Sequence, residues 1–319
     1  MREALRIVPR REIATRAEAL SSPEPYLDAD PEVFSQNFDR RDFGFAHRLA
    51  ESPLFGRDAL IDLTREMAKD PADLYYDAGD VRVEQRWNEV AKTKLTVNEL
   101  LENIETESGW ILLRRAEKVP EYAALLDGCM AEIEQLSGCD LRPLVAKRRA
   151  LIFISSPHRI SSYHIDRECN WLLQARGSKT VSVFRRGDRQ VLPEVELERF
   201  WTVDNNAATY KPEMQHRAMR YELAPGRGVH IPVNAPHWVQ NHGEVSVSLS
   251  VNFHYHDWVL GDVYRMNYWL RRAGLHPLPP FASPQADNIK RRVYAAARFV
   301  RRIARGKAVV SKGMECKKT

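Results

Sequence analysis

The chain is poor in cysteine, with only Cys129, Cys139, Cys169 and Cys316 in 319 residues. No two of them form a CxxC pair, so neither a disulfide framework nor a zinc-thiolate site has a signature, and reduced, mostly buried thiols are expected. No apolar run approaches the roughly 18 residues of a membrane span. The opening "MREALRIVPRREIATRAEAL" carries charge throughout, where a secretory leader would have its apolar core. Internal repeats, low-complexity tracts and a helix-turn-helix pattern are also missing. These absences argue against secreted mini-protein, membrane and repeat classes, and the expectation is an intracellular, cytoplasmic globular protein. The composition agrees: 44% hydrophobic and 29% charged residues are enough for a sizeable core.

The net charge of +5 is unevenly spread. Eleven of the 48 basic residues and one of the 43 acidic ones lie from Lys290 onward, which leaves 37 against 42, a net −5, in residues 1–289. Any attraction to a polyanion therefore belongs to the tail and not to the body.

Up to about residue 145 the apolar residues recur at helical spacing. Leu60, Leu63 and Met67 share one stripe, Thr96 and Glu99 form a capping box, and a helix opens at Pro120 and stops at Gly138. "GWILLRRA" between the last two reads as a strand. From 149 to 256 the period becomes two, in "ALIFISS", "SSYHID", "WLLQARGSKTVSVF", "GVHIPV", "HWVQN" and "EVSVSLSVNFHYH", a pattern that suits a compact antiparallel barrel or sandwich. Helical spacing returns after Asp257, ending in a helix that begins near Asp287. The expected class is α+β: a mainly helical region over 1–148, a barrel over 149–257, and C-terminal helices with a basic tail over 258–319.

Within the barrel region, "SSYHIDRECNW" sets His164 and Asp166 two positions apart. On a strand such residues share a face, offering one nitrogen and one carboxylate to a single metal. A second histidine would complete the two-histidine, one-carboxylate triad of non-haem iron sites. His216, His230, His237, His242, His254 and His256 all lie downstream. The setting of His237, after a Pro/Asn turn and at the opening of a strand, favours it, but local pattern does not decide among them.

The stretch 161–253 resembles the cupin-like, Jumonji-C-type branch of the Fe(II)/2-oxoglutarate oxygenases, and most closely the group typified by the asparaginyl hydroxylase factor-inhibiting-HIF. The residues that carry the likeness are "HIDRECNW", "GSKTVSVF", "HIPVNAPHW" and "SVSLSVNF", with Lys179 15 residues after His164 and Asn252 15 after His237. The resemblance implies a double-stranded β-helix (cupin or jelly-roll barrel) in which His164, Asp166 and His237 hold Fe(II). It implies that Lys179 grips the distal carboxylate of 2-oxoglutarate, with Ser161 on the same carboxylate and Asn170 and Asn252 orienting the cosubstrate. Taken alone, Lys179 after its Gly-Ser turn would pass for a solvated hairpin lysine. A carboxylate at Asp166 leaves no room for a halide on the metal and points to hydroxylation, or to demethylation through it. The serines at 246, 248 and 250 would line the cofactor side, and Val247, Leu249 and Val251 the packing side.

The implied activity is a hydroxylase acting on an amino acid side chain in a protein, peptide or small natural product. Two other classes fit less well: a non-catalytic ligand-binding regulator whose basic tail contacts nucleic acid, and a cupin dioxygenase that uses no keto acid. In the last helix Ile289, Val293, Ala296, Ala297, Val300, Ile303 and Ala304 form a stripe amid Arg291, Arg292, Arg298, Arg301, Arg302 and Arg305. That stripe suits packing on the body beneath a solvated basic face, or a homodimer through C-terminal helices, a habit of the family. Contact of the tail with membrane or nucleic acid is a further expectation, though Tyr294 and Phe299 are the only aromatic residues interleaved with the basic ones.

Overall fold

A computed structural model describes residues 24–90 and 92–315, with no side-chain description for 302 and 304–315. Cys316, the arginines at 302 and 305 and the lysines beyond them fall outside those limits, and with them the expected nucleic-acid or membrane contact of the tail. The described residues fall into two compact units, one within 24–193 and 208–255, the other within 194–207 and 256–315.

In the larger unit, helices α1 (Pro31–Asn37), α2 (Arg57–Met67), α3 (Val97–Glu102) and α4 (Pro120–Ser137) alternate with strands. The helix signals read from sequence act as expected. Thr96 and Glu99 close both arms of a capping box on α3, Leu60, Leu63 and Met67 are buried on α2, and Gly138 ends α4 at φ 67°, where a side chain would be strained. The strands are β1 (Leu27–Asp28), β2 (Phe43–His47), β3 (Leu74–Ala78), β4 (Gly109–Leu113), β5 (Val145–Ser155), β6 (Ile160–His164), β7 (Glu168–Arg176), β8 (Lys179–Val183), β9 (Met219–Leu223), β10 (Arg227–Ile231), β11 (His237–Asn241) and β12 (Ser246–Tyr255). All their pairings are antiparallel. They form an eight-stranded sheet, β1-β2-β10-β7-β12-β5-β4-β3, and a four-stranded sheet, β6-β11-β8-β9.

Leu172, Val229 and Ile231 of the large sheet share one apolar cluster with Val181, Val183, Leu223 and Val239 of the small one, so these faces meet as the interior. The other face of the large sheet buries Trp171, which stacks on Phe34 of α1 at 4.6 Å and on His230 at 3.9 Å. Two differences from the sequence reading stand out here. The first 148 residues supply four strands, not one, and their partners in the large sheet include β5 and β10 of the expected barrel region. The strand pairing is non-local, so no local pattern announced β2 or β3.

The smaller unit contains α5 (Glu194–Thr202), which interrupts the stretch expected to be all β, together with α6 (Gly261–Arg272) and α7 (Pro284–Glu315). Glu198 of α5 is buried and takes two hydrogen bonds from the Arg271 guanidinium of α6, at 2.7 and 2.9 Å. Gly261 lets α6 approach α5, because a Cβ there would stand 2.9 Å from the Trp201 ring. Helix α7 corrects an expectation, since basic residues, and not its apolar stripe, make its contacts with the rest of the smaller unit. Lys290 donates to the Leu278 carbonyl at 2.7 Å, Arg291 to that of Val259 at 3.1 Å, and Arg301 lies over the Trp269 ring. The apolar stripe faces out, with Ile289 and Val300 each 63% exposed.

Candidate metal centre

The two histidines meet across a strand pair. His237 opens β11 directly opposite His164, the last residue of β6, and the ring centroids are 4.2 Å apart. Asp166 lies just past the end of β6, and not on the strand as its spacing had suggested. Its carboxylate nevertheless swings back between the rings, with Oδ2 3.7 Å from His164 Nε2 and 3.6 Å from His237 Nε2. The candidate donor atoms of the three residues all lie within 4.8 Å of one another. Two adjacent ligands of an octahedral ion with bonds of about 2.1 Å stand about 3 Å apart, so the two carboxylate–imidazole distances need to close by less than about 1 Å.

The hydrogen bonds behind the rings set the tautomers. His164 Nδ1 lies 2.6 Å from the Ser162 carbonyl and His237 Nδ1 3.0 Å from the Ala235 carbonyl. A carbonyl can only accept, so each Nδ1 carries the proton and each Nε2 presents its lone pair to the centre. Burial, with His164 adding to it, lowers the His237 pKa to about 3, which keeps that ring neutral. Burial also raises the Asp166 carboxyl above its usual value, against the pull of His164. A cation among the three donors would relieve that desolvation cost. The donor set and its protonation therefore fit a divalent metal of the nitrogen- and oxygen-liking kind.

The turn that presents His237 is held from two sides. Asn234, at φ 64°, donates its backbone N–H to the Asp166 carbonyl at 3.0 Å, which ties the two ligand-bearing segments together. Val233 donates to the buried carboxylate of Asp39 at 3.1 Å, and the Asp39 N–H in turn donates to His230 Nε2 at 3.0 Å. Sequence reasoning missed Asp39, which lies far upstream with no motif around it. The remaining histidines have other partners: His230 bonds the Asn170 carbonyl, His242 Thr180, His254 Glu168 at 2.9 Å and His216 the Glu213 carbonyl, while His256 stacks on Trp258.

Cross-strand neighbours share a face, so the register places Lys179 on the same face as His237, four positions along the strand from Val183, the residue opposite it. On β11 and β8 the pairs are His237 with Val183, Val239 with Val181, and Asn241 with Lys179. Lys179 is therefore on the interior face, 4% exposed, and has no ion-pair or hydrogen-bond partner among the described residues. Burial alone lowers its pKa to about 7. Ser161 reaches the same face because of a bulge. Between His237 and Val239 the register on β6 steps from His164 to Ser161, so two residues three apart both point inward. Asn170 and Asn252 are directly paired across β7 and β12, with the Ser250 hydroxyl 2.7 and 2.8 Å from their Oδ1 atoms. The serine face continues inward through Ser248 and Ser246, both bonded to Gln174.

No protein-family model matches this sequence, and no curated protein matches it closely enough to count as a relative. Among solved structures, it is similar to an X-ray structure of E. coli YcfD, with 15% identity and a TM-score of 0.47 over 85% of this chain and 68% of that one. It is also similar to YcfD, a ribosomal oxygenase from Escherichia coli, in complex with cobalt and 2-oxoglutarate, with 16% identity and a TM-score of 0.47 over 84% of this chain and 65% of that one. A third is the same protein with cobalt and succinic acid, at 16% identity and a TM-score of 0.45, with the same coverage. The chain spans about two thirds of the length of those proteins. With so distant a likeness, the case for this chain rests on its own side chains.

Proposed function

We propose that this protein is an Fe(II)- and 2-oxoglutarate-dependent oxygenase that hydroxylates an amino acid side chain in a protein, peptide or small natural product. The observation that carries the reading is one sheet face bearing His164 and His237 with Asp166 between them, and a buried lysine, Lys179, without a counter-ion. The strand orders support a double-stranded β-helix, since β5 to β12 divide between two four-strand sets, β10-β7-β12-β5 and β6-β11-β8-β9, and switch set at every step except the β8–β9 hairpin. The likeness extends to the cupin-like superfamily, while kinship with factor-inhibiting-HIF rests on residue spacing alone.

His164, Asp166 and His237 would hold the ferrous ion, which supplies the oxygen-activating chemistry when 2-oxoglutarate and O2 are bound. The chain's own residues prepare that site. The Ser162 and Ala235 carbonyls fix the two imidazoles with Nδ1 as donor and Nε2 turned inward. The Lys179 ammonium meets the far carboxylate of the cosubstrate in a dry interior, where such a charge-assisted pair is much stronger than on a surface. Asn170, Asn252 and Ser250 offer donors to orient the acid, and Ser161, half-buried on the same face, adds a hydroxyl.

The outward apolar stripe of α7 supports a partner, and two copies of this chain paired through α7 are the arrangement it fits best. The purified protein, given Fe(II), ascorbate and 2-oxoglutarate, is expected to release succinate slowly even before its substrate is known. His164→Ala and Asp166→Ala are each expected to cut that release by more than about 100-fold, the upper end of what loss of a mere supporting partner costs. Wild-type protein that binds cobalt but consumes no 2-oxoglutarate would sink the reading.

A further inference from the structure

The large sheet has twice as many strands as the small one, and at about 4.8 Å per strand the small sheet covers about half of its interior face. On this side the cover ends at β5, whose Phe153 still packs against the interior cluster, and the part beyond it lies on β4 and β3. The residues on this face follow from the register. Arg149 is directly opposite Asn252, and Phe153 is opposite Leu112, which is opposite Tyr75. Leu151, Phe153, Trp110 and Tyr75 on this face stay only half-buried. Trp110 stacks on Phe153 at 5.7 Å and meets Tyr75 edge-on at 5.6 Å, so the aromatic rings form a continuous floor.

Two arginines border this floor, and neither has an ion-pair partner among the described residues. Arg114 lies over the Tyr75 ring at 5.6 Å, and Arg149 stands beside Asn252, two strand spacings or about 10 Å across the sheet from Asn170. Burial depresses the Arg114 pKa, and the neighbouring charge of Arg149 depresses it further, against Tyr75. Nearby carboxylates are already engaged: Glu168 by His254, and Asp77 by Arg159 in a buried pair. The contrast with the next residue is sharp, because Arg148, on the opposite face, is tied to Asp127 at 2.7 Å. Half-buried like charges left together without a counter-ion cost stability, and sites of function are where such a cost persists.

We infer that Arg114 and Arg149, over the Trp110 and Tyr75 floor, bind a carboxylate of an acidic peptide substrate and so hold its target residue at the metal centre. This rests on the oxygenase reading for its purpose but not for its test. Guanidinium forks match carboxylates bidentately, and an open strand face suits an extended peptide. A nucleic acid is disfavoured because residues 1–289 carry 37 basic against 42 acidic residues, a field that repels a long polyanion and tolerates one or two carboxylates.

The test is fluorescence anisotropy on the full chain in chelator, so that neither metal nor turnover enters. The probes are a labelled extended peptide carrying one or two Asp or Glu residues and its Asn/Gln isostere. Wild type is expected to prefer the acidic peptide by at least about tenfold. The double variant Arg114→Gln/Arg149→Gln is expected to lose that preference while melting at or above the wild-type temperature, and Arg148→Gln to keep it. Equal binding of both peptides by wild type overturns the inference, as does a lower melting temperature of the double variant, which would assign the arginines a structural role. Displacement of the peptide by inorganic phosphate or oligothymidylate more readily than by unlabelled peptide also overturns it. Succinate release in a separate assay tells whether the oxygenase reading stands regardless.

Discussion

Lys179 concentrates the chemistry of the site in one side chain. An ammonium buried without a counter-ion is costly, and its pKa, lowered to about 7 by burial, states that cost. The unfolded chain holds this proton up to about pH 10.4. Between about 7 and 10.4 the unfolded state therefore binds more protons, and the ligand-free protein gains stability from this group as pH rises through that window. Below 7 the full penalty applies. Cosubstrate binding has the opposite sign, because the carboxylate needs the charged amine. The affinity for 2-oxoglutarate is expected to fall about tenfold per pH unit above 7, with proton uptake visible as a buffer-dependent heat in titration calorimetry. Lys179→Met should melt higher than wild type without 2-oxoglutarate and lose both the proton uptake and most of the affinity. Affinity independent of pH between 7 and 9 would remove Lys179 from the cosubstrate site. The sequence carried this residue only through its distance from His164, since nothing in "GSK" says whether a lysine points inward. Asp39 was not legible at all, because the turn it holds lies nearly two hundred positions away.

Elements differed in how much of them could be read. The capping box of α3 and the Pro120 and Gly138 bounds of α4 are local devices, set by backbone groups within a few residues, and they stood as expected. Strands β2 and β3 and helix α5 depend on partners far along the chain and left no local mark. The bulge on β6 belongs to the same class. It moves Ser161 onto the face of His164, although simple alternation would set residues three apart on opposite faces. In α7 the amphipathic pattern was plain, but a pattern says which face is apolar and not what covers it. Ile289, Val293, Ala296, Val300 and Ile303 follow the alternating four-and-three spacing of a helix-pairing seam, with β-branched and small residues. Light scattering should find wild type at twice the 36.8 kDa chain mass and Ile289→Glu/Val300→Glu at the single mass. Both side chains are already exposed, so the melting temperature of the variant monomer should reflect only the lost association. A monomeric wild type would end the pairing proposal.

At the scale of the larger unit, the barrel strands are not a separable piece. The expected division at about residue 148 passes through β5, which runs Val145–Ser155, and would part it from β4 at one side of the large sheet. The same cut removes β2, the partner of β10 on the other side. It also strips Phe34, Phe38 and Phe43, whose rings pack on Trp171 at 4.6, 6.1 and 5.7 Å, so the back of β7 would face water with its largest side chain. Each of those rings is worth about 1.5–3 kcal/mol when buried, and their joint loss is comparable to the whole stability of an ordinary domain. A fragment of residues 149–257 would thus present two unpaired strand edges and an exposed aromatic face, the conditions under which sheets associate edge to edge. Expressed alone it should be insoluble or elute in the void volume in gel filtration. A chain starting at residue 24 keeps every one of these contacts and should elute as a defined species with a cooperative melt. If the 149–257 fragment instead proved soluble, monomeric and able to bind cobalt with the affinity of the whole chain, the strands before residue 148 would be dispensable to the metal site.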